Sequence, residues 1–304
     1  MGVDRRGEVV VVFGATGGLG LGLSRVFGRD GATLVLVDID EVALGKAVDS
    51  LRAMGISVSS MVADVSREDE VVAVRDGVLS NHLKIDVVCN TVGVSSHDAK
   101  PIWEKSNLDW RWHLDVNLWG VINVLNVFIP TLIANDSGHL INTASSITFS
   151  SRGGYAPYDA CKHAVLSLSE TLHHDLKSIN SNVKISLLIP GAIRSKMADS
   201  ERARQRIYGD PITSDMQRED MSQYLERFGA DPEVLAGILD PQIAEGKFYI
   251  FGRSEDKEYA ELHLGEILEG ELGSSTFARR AGPGAQSRKV NQALGDGDTS
   301  IDSK

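Results

Sequence analysis

The sequence predicts an α/β fold built around a parallel sheet, and three observations carry that expectation. From Glu8 to Pro190 short apolar runs alternate with longer amphipathic stretches, the pattern of repeated strand and helix units. The apolar runs are continuous, as in strands covered on both faces. A glycine-rich turn follows the first run and opens a helical stretch, an order that lets a backbone approach a phosphate closely.

Taken in order, the first strand is Val9 to Phe13. Thr33 to Val37, Val58 to Val62, Ile85 to Cys89, His139 to Thr143 and Ile185 to Ile189 follow, most of them β-branched or apolar throughout. Helical stretches connect them, and two are long, Trp103 to Ile133 and Tyr158 to Ile179. After Pro190-Gly191 the composition changes: Ser195 to Gln223 is polar and charged, Phe248 to Phe251 reads as one more strand, and Glu255 to Glu269 as a helix. From Gly273 on the chain is rich in Gly, Ser, Asp and Arg. The expected organisation is one domain over 1–272, with an insertion at about 195–246 that closes over substrate, and a mobile polar tail over 273–304.

A formal net charge of -11 argues against non-specific nucleic-acid binding and against attraction to anionic membranes, both of which use basic patches. No stretch is expected to reach the roughly 20 apolar residues of a membrane span. Met1 to Arg6 runs into a strand without a signal-peptide core, so a cytoplasmic location is expected. Cys89 and Cys161 sit in apolar runs and make neither a disulfide framework nor a metal site. His173-His174 point to different helical faces and find no third ligand at zinc spacing, so no metal is expected.

The turn Gly14-Ala15-Thr16-Gly17-Gly18-Leu19-Gly20 brings backbone to a pyrophosphate at a helix N-terminus. Asp38 ends the second strand, about 20 residues on, where a carboxylate accepts hydrogen bonds from ribose hydroxyls. A role as a helix cap is compatible with that one. Asp40 and Glu41 repel a 2′-phosphate and neither Gly17 nor Ile39 supplies a cation, so NAD is expected over NADP. Further on, Tyr158 and Lys162 stand four residues apart, on one face of a helix. An ammonium there stabilises a phenolate and draws the phenol pKa down from about 10, and with a nucleotide turn upstream the pair reads as a redox site.

These motifs, in this order, make the chain resemble the classical short-chain dehydrogenase/reductase family, from about Glu8 to Met197 and less specifically to Phe251. The family's T-G-x-x-x-G-x-G appears as Phe13 to Gly20, with Phe13 in place of Thr. The adenine-contacting acid corresponds to Asp64, followed by Val65. The N-N-A-G motif is Asn90-Thr91-Val92-Gly93, with its second Asn and its Ala changed. Asn117, Ser145, Tyr158 and Lys162 match the catalytic tetrad, and Pro190-Gly191-Ala192-Ile193-Arg194-Ser195 matches the P-G motif at the nicotinamide end.

The resemblance implies a doubly wound Rossmann fold, a single parallel seven-stranded sheet flanked by helices, with the site at the carboxyl ends of the strands. It implies that Tyr158 exchanges a proton with the substrate oxygen, Lys162 lowers its pKa and holds the nicotinamide ribose, Ser145 polarises that oxygen, and Asn117 keeps a relay water. Cofactor contacts are expected from Gly14, Thr16, Gly17, Gly18, Leu19, Gly20, Asp38, Ile39, Asp64, Val65, Asn90, Thr91, Val92, Gly93, Tyr158, Lys162, Pro190, Gly191, Ile193 and Ser195.

Ser145, Thr148 and Tyr155 are the expected substrate contacts, with Phe149 and Arg152 beside them. Arg152 reads as a solvated surface residue or a partner for a substrate anion, His97, Asp98 and Lys100 as a polar loop, and Trp103 as a pocket candidate. The expected activity is NAD-dependent interconversion of a secondary alcohol and a ketone on an apolar or aryl-bearing small molecule. A carbonyl or enoyl reductase and a non-catalytic dinucleotide sensor are the alternatives. The family commonly assembles through two long central helices, so a homodimer or homotetramer is expected.

Overall fold

The computed structural model describes residues 3–270. The tail expected over 273–304 lies outside the described residues. Seven strands form one parallel sheet: β1 (Val9–Phe13), β2 (Thr33–Asp38), β3 (Val58–Val62), β4 (Val87–Asn90), β5 (His139–Thr143), β6 (Lys184–Ile189) and β7 (Tyr249–Phe251). Their order is β3-β2-β1-β4-β5-β6-β7, so the direction of winding reverses between β1 and β4. A crevice opens above the strand ends at such a reversal.

Successive strand side chains point to opposite faces, and the continuous apolar runs therefore feed two cores. On one face Val10, Val12, Leu34 and Leu36 pack against α1 (Gly18–Arg29), α2 (Glu41–Ala53) and α8 (Pro232–Ala244). On the other, Val9, Val11, Phe13, Val35 and Val37 meet α3 (Glu68–His82), α5 (Gly120–Ala134) and α6 (Ala156–Ser178). Edge strand β3 departs from double coverage: Ser59, Ser60 and Val62 are exposed. Polar residues on an edge discourage pairing with another chain.

The expected helix from Trp103 to Ile133 is four pieces. A 3₁₀ turn (Ile102–Glu104) precedes α4 (Asn107–His113), whose start is capped by the Ser106 hydroxyl accepting from Asp109 N. A π-helical stretch (Leu114–Trp119) then leads into α5. Such a widened turn often marks a functional position, and here it carries Asn117. Contrary to expectation, 107–134 is long and apolar enough to match a membrane-crossing helix; half of its most apolar window is buried inside the protein.

The insertion expected over 195–246 is shorter than that. Pro232–Ala244 is α8, a sheet-flanking helix whose Leu235, Ala236, Leu239 and Ile243 belong to the core. It lies so close to α1 that a Cβ on Gly22 would stand 2.4 Å from Pro232 O, which only glycine permits. Asp240 of α8 pairs with buried Arg5 at 2.5 Å. The remainder holds 3₁₀ turns at Lys196–Ala203 and Arg206–Tyr208 and then α7 (Asp215–Phe228). The last helix, α9, spans Ser254–Glu269.

Candidate active site

The glycine-rich turn is built for close approach. Gly14 has φ +73, and a Cβ on it would lie 2.9 Å from Val92 N. Helix α1 begins after Gly17 with no side chain capping its first N–H groups, which leaves them for an anion. The two departures from the motif have structural partners. Thr91 Oγ1 donates to Phe13 O at 2.7 Å and ties the turn to β4, while the Phe13 ring packs edge-on against Phe128 at 5.6 Å.

Asp38 Oδ2 accepts from Thr16 N at 3.0 Å and Thr16 Oγ1 at 2.8 Å, so the carboxylate braces the glycine-rich turn. It does not cap α2; Asp40 does, accepting from Ala43 N at 3.0 Å. Asp38, Ile39, Asp64, Val65, Thr16 and Gly14 line one end of the crevice. Gly18, Leu19, Gly20, Pro190, Gly191, Ile193 and Ser195 line the other, and Gly17, Thr91, Val92 and Gly93 line both. Asn90 is the exception among the expected cofactor contacts. It is buried behind the crevice, with Oδ1 facing Val92 N at 3.4 Å, because its strand side chain points into the sheet layer.

Ser145, Tyr158 and Lys162 meet at that second end, on the wall of a cavity of about 280 Å³. Ser145 lies just beyond β5 and caps a 3₁₀ turn, with its N–H donating to Thr148 Oγ1 at 3.1 Å. Tyr158 and Lys162 come from the first turns of α6. Lys162 Nζ donates to Thr143 O at 2.9 Å and stands 5.8 Å from the Tyr158 ring centroid. Burial lowers the Lys162 pKa to about 8. Burial also raises the Tyr158 phenol above its usual range, against the opposing pull of Arg152 and a hydrogen bond with Ser145. The expectation of a lowered phenol pKa is thus corrected: in this cleft, lost hydration outweighs the pull of Arg152 and the Ser145 hydrogen bond. Asn117 lies one layer behind. Its amide exchanges two 2.8 Å hydrogen bonds with the Val94 backbone. Gly93 lies between Lys162 and Asn117, and a Cβ there would be in ordinary contact with Lys162 Nζ at 3.6 Å and Asn117 Oδ1 at 3.7 Å.

Several expectations for the substrate side change. Thr148 is buried and locks the Ser145 turn, also reaching Lys162 O at 3.4 Å, and it does not line the cavity. Phe149 stacks on Phe251 at 6.0 Å. Tyr155 does line the cavity. Arg152 is no solvated surface residue: it pairs with Asp159 at 2.9 Å and lays its guanidinium 4.2 Å over the Tyr155 ring. His97 and Asp98 are buried. His97 Nε2 faces the Met197 carbonyl at 3.2 Å and is therefore the protonated nitrogen, and Asp98 pairs with buried Lys105. Trp103 is 81% exposed and away from the cavity. Residues missed by the sequence reading are Met197, Met221, Tyr224 and Leu225. Met221, Tyr224, Leu225 and Phe228 follow helical i, i+3, i+4, i+7 spacing, a signal for α7 that its many charges obscure.

The charged stretch after Ser195 is also clamped. Ser200 Oγ donates to Ser95 O at 2.7 Å, and Glu201 accepts from Ile212 N and Thr213 N at 2.9 Å each. Arg204 Nη1 meets Asp109 at 3.0 Å, both side chains being almost wholly buried. Within this polar stretch, Arg204 and Glu201 are paired inside the protein.

Comparisons with known proteins agree with this architecture. Residues 8–206 match the family model described as short chain dehydrogenase. A 1-deoxy-11-beta-hydroxypentalenate dehydrogenase from Streptomyces exfoliatus is 32% identical over 82% of this chain and 84% of its own. A C alpha-dehydrogenase from Sphingobium sp. is 29% identical over 88% of this chain and 87% of its own. A crystal structure of a short chain dehydrogenase/reductase from Burkholderia phymatum in complex with NAD superposes with a TM-score of 0.82 at 32% identity, covering 89% of this chain and 97% of that one.

Proposed function

The chain belongs to the short-chain dehydrogenase family, and from that premise we propose that it is an NAD-preferring enzyme interconverting a secondary alcohol and a ketone. The family membership makes it an oxidoreductase with a nicotinamide-dinucleotide fold, related to dehydrogenases that act on hydroxyl groups. The observation that carries the finer reading is the meeting of Ser145, Tyr158 and Lys162 in the same crevice as the uncapped start of α1. The residues fit a dinucleotide: free N–H groups for its phosphates, Asp38 for a ribose, and a cavity wall of Gly191, Ile193 and Ser195 for its far end.

A bound nicotinamide supplies the hydride acceptor or donor. The protein's part is position and proton transfer. In oxidation Tyr158 takes the alcohol proton, and in reduction it returns one to the carbonyl oxygen. Ser145 holds that oxygen by a hydrogen bond, and Lys162 places positive charge beside the phenol as it ionises. Asn117 fixes the loop that brings Gly93 against Lys162. The raised phenol pKa favours a protonated Tyr158 at neutral pH, which supports ketone reduction as a second direction.

NAD preference rests on Asp38 and Asp40, whose carboxylates oppose a 2′-phosphate, and on the NAD held by the Burkholderia relative. Ile147, Tyr155, Met197, Met221, Tyr224 and Leu225 make an apolar wall suited to a hydrocarbon or aryl skeleton. Arg152 is already paired with Asp159, so the wall makes no call for a substrate anion. A screen of NAD reduction over steroid, aryl and polyol secondary alcohols tests the reading. Turnover of an apolar secondary alcohol with NAD is expected, and absence of turnover across all three classes in both directions contradicts it.

A further inference from the structure

The two ends of the crevice meet at Arg202. One end runs from the glycine-rich turn to Tyr158, the other from the turn to Asp38 and Asp64, and Arg202 lines both, as Gly17 does. Its guanidinium is fixed from its own segment: Nη1 donates to Asp199 O at 3.0 Å and to Lys196 O at 3.4 Å, and Nε stands 3.9 Å from Asp40 Oδ2. The side chain remains 31% exposed. Among the described residues lining the Asp38 end, Arg202 is the one cation, beside the acids Asp38 and Asp64. Lys196 lines the Tyr158 end alone.

The chain continues from Arg202 across the rest of that end. Gln205 Nε2 donates to Asp64 Oδ2 at 2.5 Å, and the Tyr208 hydroxyl donates to Asp115 at 3.0 Å. Met221, Tyr224 and Leu225 of α7 line only the Tyr158 end. In the covering segment, Ala203, Gln205 and Tyr208 line only the Asp38 end, Met197 and α7 line only the Tyr158 end, and Arg202 borders both.

Resting on the dinucleotide reading above, we propose that Arg202 is the cationic partner of the cofactor's diphosphate, and that residues 199–208 strap the dinucleotide while α7, together with Met197, covers the alcohol. A diphosphate lying on the start of α1 brings full negative charge, of which a helix N-terminus offsets only part. Arg202, bordering the same crevice as Gly17, supplies the rest through its charge and through Nη2, the nitrogen not engaged by the contacts above. A 2′-phosphate is the poorer match, since Arg202 Nε already faces Asp40 and Asp38 adds a second carboxylate.

Arg202→Gln separates these possibilities. Dissociation constants for NADH and ADP-ribose by fluorescence and calorimetry should rise about tenfold or more, the size of a lost charge-assisted contact. Adenosine, which lacks the diphosphate, should bind within about twofold of wild type by ligand-observed NMR. Arg202→Lys should recover most of the ADP-ribose affinity, and both variants should melt near the wild-type temperature. In the companion variant Tyr224→Ala, KM for the alcohol should rise while ADP-ribose binding holds. Unchanged ADP-ribose binding in Arg202→Gln, equal weakening of adenosine, or a loss confined to NADPH would each overturn the assignment. Wild-type protein that binds neither NADH nor ADP-ribose would remove the dinucleotide reading itself, whereas wild-type binding with an indifferent Arg202→Gln removes only the strap.

Discussion

Burial withholds water from the Tyr158 phenolate and raises the phenol above its usual range, and the same cause lowers the Lys162 ammonium to about 8. A raised phenol must lose its proton before it can accept one from an alcohol. Alcohol oxidation should therefore accelerate with rising pH through the neutral and alkaline range, while ketone reduction stays level until the pH approaches the raised phenol pKa. Profiles of kcat/KM in both directions check this, and a flat oxidation profile would place the base elsewhere. At the other end, Asp38→Ser with Ile39→Arg removes one carboxylate and adds a phosphate partner. The NADP to NAD ratio of kcat/KM should rise at least tenfold, about 1.4 kcal/mol in relative transition-state binding. An unchanged ratio would leave Asp38 as a brace for Thr16 only. At this scale the sequence made the tetrad and the glycine-rich turn legible because their spacing follows from helix and turn geometry. Spacing does not say which way a side chain faces, and Asn90 and Thr148 turn away from the cavity wall; the burial of His97 and Arg152 is hidden because their partners, Met197 and Tyr155, lie across the fold or beyond a turn.

Helix α8 shows what element-level patterning misses. Its apolar positions are plain once Pro232 starts the helix behind the Asp231 cap, but polar sequence before it drew the whole of 195–246 into one insertion. If α8 is a core layer, Leu239→Ala should destabilise the protein by about 2–5 kcal/mol, and Val234→Ala, at an exposed position, by less than about 0.5. Chemical denaturation compares the two, and equal small effects would return α8 to the insertion. Strand β5 carries a second element-level signal. His139 is buried against the Ser186 hydroxyl at 2.8 Å, and burial lowers its pKa from 6.5 to about 3. Below pH 6.5 the unfolded chain takes a proton that folded His139 refuses, so its contribution is complete above 6.5 and fades as pH falls toward 3. Within that window stability should fall by about 1.4 kcal/mol per pH unit on this account. His139→Asn should flatten the slope; an unaltered slope would assign acid lability to other groups.

At the scale of the whole molecule, the reversal of strand order between β1 and β4 places the crevice, and the carboxyl ends of β1, β2, β4, β5 and β6 each deliver a piece of it. The glycine-rich turn comes from β1, Asp38 from β2, Gly93 from beyond β4, Ser145 from beyond β5 and Gly191 from beyond β6. Alternating strands and helices made this plan legible in the sequence. The covering segment was not, because its buried ion pairs join residues such as Arg204 and Asp109 that are far apart along the chain. On the proposed function, this crevice binds the dinucleotide through its own walls and uses the Tyr158 hydroxyl only for proton transfer. Tyr158→Phe tests that directly, with turnover and NADH affinity measured on the same preparation. Turnover should fall by about 10²–10⁴, the range for loss of a positioned acid or base, while the NADH dissociation constant stays within about twofold. Retained turnover, or loss of NADH binding together with it, would contradict the account.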